Sequence, residues 1–153
     1  MADSRFVYVT YIRTTPEKLW QALIEPEFTR KYWVETWQDC TWQKGAPWKL
    51  MAPDGRAIAG GEVVEIDPPK RLVLTWQHND HPELTPEGHS RMTYTLEPQG
   101  ETVKLTVLHE MDKPESKLIA GVSTGWPKFL SSLKSMLETG ESLEATRTWS
   151  KGK

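Results

Sequence analysis

The chain has 153 residues, 19 of them basic and 21 acidic, for a net charge of −2. That balance offers no electrostatic argument for nucleic acid or an anionic membrane as partner. The length is that of one domain, able to bury about two thirds of its unfolded surface. Cys40 is the single cysteine, so no intrachain disulfide can form. With no apolar run behind Met1 to act as a signal peptide, a reducing cytoplasm is the expected location. No segment approaches membrane-spanning length.

Residues 5–13 alternate and are rich in β-branched and aromatic side chains, which predicts a first strand. Thr15 then reads as a helix N-cap with Pro16 at the first helical position. Leu19, Trp20, Leu23 and Ile24 supply the apolar face. Pro26 closes this helix and opens a shorter one over 27–32. Gly45-Ala46-Pro47 predicts a turn between two short strands, and Asp54-Gly55 a hairpin. Strand patterns follow over 58–66, 71–77, 90–97 and 102–110. Residues 79–88 read as a polar loop.

Period-two alternation assigns the inner faces. Leu72, Leu74 and Trp76 share one side, as do Met92, Tyr94 and Leu96, and Val103, Leu105, Val107 and His109. Arg91, Thr93, Thr95, Lys104 and Thr106 point the other way and are polar, as in a sheet wetted on one side. A strong amphipathic helix is predicted over 121–140. Trp126, Leu130, Leu133 and Leu137 form its stripe, flanked by Phe129 and Met136. Ser123 or Thr124 would cap it, Pro127 would sit in its first turn, and Gly140 would stop it. Lys128, Ser131, Ser132, Lys134 and Ser135 fill its polar face. The fold class is therefore α+β, a curved and mostly antiparallel sheet wrapped around a long C-terminal helix. Two short helices follow the first strand. The domain is expected over 5–140, with a mobile tail over 141–153 in which Trp149 has no evident partner.

This order resembles the helix-grip (SRPBCC) superfamily, which includes the START lipid-transfer domains, the major birch pollen allergen and the polyketide cyclases. Within it the chain is most similar to the bacterial homologues of the activator of heat-shock-protein-90 ATPase. The resemblance rests on Pro16-Glu-Lys-Leu-Trp-Gln-Ala-Leu23 with Pro26 and Trp33, and on Asp54-Gly55 with Gly61-Glu62-Val63. Ile66-Asp67-Pro68-Pro69-Lys70-Arg71-Leu72 through Thr75-Trp76, Ser90 through His109, and Gly125-Trp126-Pro127 continue it. It covers roughly residues 5–140. One departure is Gly45-Ala46-Pro47-Trp48, where the family commonly shows a Gly-Gly pair; Ala and Pro should stiffen that turn. The resemblance implies the fold. It implies several functions, because one scaffold hosts carriers, cyclases, hydrolases and co-chaperones.

The chain carries eight Trp. Trp33, Trp37, Trp48, Trp76, Met92, Tyr94, His109, Trp126, Phe129 and Leu130 are the candidate lining of a cavity between sheet and C-terminal helix. A small hydrophobic or amphipathic molecule is the expected ligand, held by apolar area at about 25 cal/mol per Å². His109 is placed to orient it, with a buried structural histidine as the rival reading. Glu62 and Glu65 fall on opposite faces by parity and form no carboxylate pair. His78, His81 and His89, with Asp80, Glu83 and Glu87, lie in a polar loop and read as solvated rather than as a metal site. Cys40 has no activating neighbour and reads as inert. No phosphate loop, Gly-x-Ser-x-Gly elbow or His-Glu-x-x-His stands in the sequence. The expected function is thus non-enzymatic binding, with no catalytic residues, cofactor or metal. A chaperone-docking module and a cyclase or hydrolase are the alternatives.

Overall fold

The computed structural model describes residues 4–78 and 88–148. Strand β1 (Ser4–Ile12) leads into helices α1 (Pro16–Ile24) and α2 (Pro26–Tyr32). Strands β2 (Trp37–Asp39), β3 (Pro47–Met51), β4 (Ala57–Asp67), β5 (Arg71–His78), β6 (Ser90–Gln99) and β7 (Thr102–Met111) follow, then helix α3 (Lys117–Thr139). Among the described residues the strands form one seven-stranded sheet in the order β1-β7-β6-β5-β4-β3-β2. Every pairing in it is antiparallel. This is the helix-grip architecture.

Local chemistry explains the elements. Thr15 accepts the Lys18 N–H through its hydroxyl at 3.2 Å, and Pro16 starts α1. Pro26 starts α2 at a position where its missing N–H costs no helical bond. Gly45 and Gly55 hold φ of 85° and 93°, left-handed values that side chains resist, and so turn the chain into and out of β3. The Gly45 turn is also tied to β4, since Gly45 N–H donates to Val63 O at 2.8 Å and Val63 N–H to Ala46 O at 2.9 Å.

The predicted parity holds on the inner face. Leu72, Leu74, Met92, Tyr94, Val103, Leu105, Val107 and His109 are fully buried. The outer face needs one correction. Thr93 points outward but is buried, and Val73 is its cross-strand partner and is buried too. Elsewhere on this face Arg91 is exposed and Thr95, Lys104 and Thr106 are half-buried, so only part of it is wet. On β1 the outward Val7, Val9 and Tyr11 are 53, 44 and 49% exposed.

Helix α3 is longer than its pattern predicts. It starts at Lys117, where the Ser116 hydroxyl accepts the Ile119 N–H at 3.2 Å, and it buries Leu118 and Ile119 in an added first turn. Ser123 and Thr124 therefore lie inside the helix. Their hydroxyls donate to the carbonyls of Ala120 and Gly121 at 2.7 and 2.8 Å. Pro127 is internal as well, and deprives the Ser123 carbonyl of its helical donor. The stop at Gly140 is as expected, with φ of 88°.

The packed domain extends past the boundary expected at Gly140. A short 3-10 turn, Glu144–Thr146, folds back on α3. Ser132, assigned to the polar face by its pattern, is fully buried there. It accepts the Leu143 N–H at 2.8 Å and the Thr146 hydroxyl at 2.6 Å. The Thr146 carbonyl in turn accepts the Val34 N–H at 2.7 Å. Over its described part the tail is thus docked rather than loose. Trp149 lies outside the described residues.

Candidate functional site

The inner faces of β5, β6 and β7 meet α3 in an aromatic cluster. Trp126, one turn before Leu130 on the buried stripe of α3, is its hub. Its ring lies 5.3 Å from Trp33, 5.8 Å from Trp76 and 5.9 Å from Tyr94, centroid to centroid. Trp48 meets Trp76 at 4.8 Å, and Trp33 stacks on Phe129 at 5.2 Å with 25° between planes. These are ordinary attractive ring separations. Trp33, at the end of α2, and the half-buried Phe129 close one end of the cluster. Gly125 lets this happen: a Cβ there would stand 3.2 Å from the Phe129 ring.

His109 is held from both sides. The Trp126 indole N–H donates to its Nδ1 at 3.1 Å. An indole can only donate, so Nδ1 must be the bare acceptor and the ring proton sits on Nε2. That proton points to Ser90 Oγ at 2.7 Å, and the Ser90 hydroxyl donates onward to Trp76 O at 3.0 Å. Burial, with a lesser contribution from neighbouring His78, lowers the His109 pKa to about 3. At neutral pH the imidazole is therefore an uncharged strut with both nitrogens engaged. The Tyr94 hydroxyl is also held in its neutral form, since burial pushes its pKa well up.

Three other polar groups in the interior are not provided for. The Tyr94 hydroxyl and the Trp76 indole N–H are buried without a hydrogen-bond partner among the described residues, and so are both amide atoms of Gln38. Each such group costs about 1–3 kcal/mol when left unpaired, and native interiors rarely carry many.

Nine of the ten candidate residues lie along this inner layer. Trp33, Trp48, Trp76, Tyr94, His109, Trp126 and Phe129 touch one another through the ring contacts above. Met92 is buried between Leu74 and His109 in register. Leu130 is buried on the helix stripe. Trp37 stands apart. It pairs with Met51 of β3, and Arg30 lies over its ring at 5.3 Å. It lines a surface cleft of about 560 Å³ with Lys31, Glu35 and Arg147.

Two residues escaped the sequence reading. Ser90 opens β6 directly beside Trp76, and only the register brings it to His109. Gln38 sits in a three-residue strand, too short to show alternation. Among the described residues no group of three or more His, Cys, Asp or Glu could hold a metal. His81, Asp80, Glu83 and Glu87 lie outside them. Cys40 is partly buried, and burial raises its pKa.

A grip of antiparallel sheet around one helix, with an aromatic layer between, defines a helix-grip protein. The model of the family described as activator of Hsp90 ATPase homolog 1-like protein matches residues 13–138. This chain belongs to that family. Among solved structures it resembles the protein MLL2253 from Mesorhizobium loti, at 26% identity and a TM-score of 0.74 over 88% of this chain and 97% of that one. It resembles the Aha1 dimer from Colwellia psychrerythraea at 24% identity and a TM-score of 0.70, over 91% and 99% of the two chains. An HSP90 activator from Plasmodium falciparum matches in fold at 20% identity and a TM-score of 0.70, over 87% and 95%. No curated protein matches the sequence.

Proposed function

We propose that this protein is a binding protein, without catalysis of its own, that takes a small and mainly apolar molecule between the sheet and α3. The observation that supports this most is the pair of buried donors, Tyr94 O–H and Trp76 N–H, that both pack against Trp126 and find no acceptor among the described residues. A molecule bearing a carbonyl or ether oxygen against either donor would recover what folding leaves unpaid. The surrounding indoles would supply apolar contact, at about 25 cal/mol per Å² of area removed from water. The Trp33–Phe129 stack at the rim is the part of the layer that has to yield for a guest to pass. His109 is better suited to stiffening Trp126 than to proton transfer, because protein groups already occupy both of its nitrogens.

Titration of neutral aromatic and polyketide-like compounds, read by tryptophan fluorescence, tests the proposal. Tyr94→Phe and Trp76→Phe keep an aromatic ring and remove the donor. Each should weaken a compound that binds by about 5- to 10-fold, roughly 1–1.4 kcal/mol. Tyr94→Phe should do so without loss of thermal stability, whereas Trp76→Phe also removes packed ring area and should melt lower. Saturable binding by no compound, or affinity unchanged from wild type in both variants, would refute it.

A second reading, docking on an Hsp90-type chaperone, is supported by the family and by the exposed Val7, Val9 and Tyr11 on the outer face of β1. Stimulation of the chaperone's ATPase that is lost in the Val7→Lys/Val9→Lys double variant would support it. A rate unchanged by the wild-type protein would dismiss it.

A further inference from the structure

Resting on the chamber proposed above, we propose that Gln38 is its recognition residue and that the ligand is neutral and planar, with a carbonyl acceptor beside an N–H or O–H donor on one edge, as in an aromatic carboxamide or lactam. Gln38 stands opposite Leu50 on β3, and both are 2% exposed. Cross-strand partners share a face, so Gln38 points inward with Leu50 while Trp37 points out. Trp48 is its diagonal neighbour on β3, a relation that spans about 7–8 Å, and Trp48 meets Trp76 directly. The register thus sets the amide beside Trp48, whose ring meets the unpartnered Trp76 indole.

Gln38 offers two N–H donors and one carbonyl acceptor in a single plane, and neither its nitrogen nor its oxygen has a partner among the described residues. An apolar side chain of the same shape would spare that cost. A ligand edge with a donor and an acceptor side by side would satisfy both atoms at once, and another acceptor on the same molecule would serve Tyr94 or Trp76. The charge follows from the surroundings. The fully buried polar side chains among the described residues are Thr, Ser, Gln and His, with no Lys, Arg, Asp or Glu. His109 is uncharged and committed on both sides. A carboxylate or ammonium placed here would have no counter-charge and would lose its hydration uncompensated.

The test is calorimetric titration of the wild-type protein and Gln38→Met with three probes at pH 7: 2-naphthamide, methyl 2-naphthoate and 2-naphthoate. The amide should bind at least ten-fold tighter than the carboxylate and tighter than the ester. In Gln38→Met the amide should lose about ten-fold, the ester should hold its affinity, and the melting temperature should stay level or rise. Gln38→Leu repeats the measurement should the first variant fail to fold. An unchanged amide-to-ester ratio, the result expected if buried water alone serves Gln38, would overturn the inference and leave the chamber standing. So would equal binding of the carboxylate. Saturable binding by none of the probes would remove the chamber reading and this inference with it.

Discussion

Trp126 does two things with one side chain. Its faces pack against Trp33, Trp76 and Tyr94, and its N–H sets the tautomer of His109. Trp126→Ala should cost about 3–5 kcal/mol, as for other buried large-to-small changes, measured by urea unfolding. His109 makes a separate prediction from its own titration. Its pKa in the folded chain is lowered to about 3, while the unfolded chain binds its proton near 6.5. Between those values the unfolded state carries the extra proton. This contribution to stability is therefore whole above about pH 6.5 and shrinks as pH falls toward 3, by at most about 1.4 kcal/mol per pH unit. His109→Asn should flatten the pH dependence of unfolding in that window. An equally steep profile in the variant would place the titrating group elsewhere. At this scale the sequence is readable where alternation runs long: Tyr94, His109 and Trp76 are inward because β5, β6 and β7 have eight to ten residues each. It is mute at Gln38, where a strand of three residues gives no period to follow.

Among the elements, α3 was legible in its middle and misread at its start. Pro127 preceded by Ser123 and Thr124 carries the composition of a helix N-terminus, and Gly121 and Gly125 strengthen that impression. Leu118 and Ile119 outweigh them by burying apolar surface one turn and more upstream. Ser116→Ala should therefore cost about 1 kcal/mol through loss of the cap, whereas Thr124→Ala, at an exposed mid-helix site, should change stability little. Paired thermal melts decide between the two starts, since the reverse order would return the helix origin to Thr124. On the sheet, Gly61 lets β5 come close. A Cβ at that position would stand 2.1 Å from the Thr75 carbonyl oxygen, the same oxygen that accepts the Trp48 indole N–H. Gly61→Ala should destabilise the chain by several kcal/mol, because a backbone atom cannot move aside cheaply, and should blue- or red-shift the Trp48 emission with it. Unperturbed unfolding would mean that β4 and β5 slide freely past each other.

For the molecule as a whole, sheet, helix and docked C-terminal turn act as one packed unit. Ser132 on α3, Thr146 beyond it and Val34 after α2 form a continuous hydrogen-bonded seam. A chain ended after Gly140 should melt several degrees lower than the full chain; equal melting would show the seam to be idle. The order of strands and helices was legible because hydrophobic period, turn residues and family pattern agree. The seam was not, because it rests on a few hydroxyls in a stretch without apolar period. No described helix is long and apolar enough to cross a membrane. The unpaired interior donors give the most direct handle on function. Indole ¹⁵N–H spectra recorded during titration with methyl 2-naphthoate, whose carbonyl is not claimed by Gln38, would follow Trp76 and Trp126 separately. The account predicts a saturable downfield shift of the Trp76 indole proton, newly bonded, while the Trp126 proton, already held by His109, stays nearly in place. A Trp76 signal indifferent to the probe, with changes confined to exposed indoles, would contradict it.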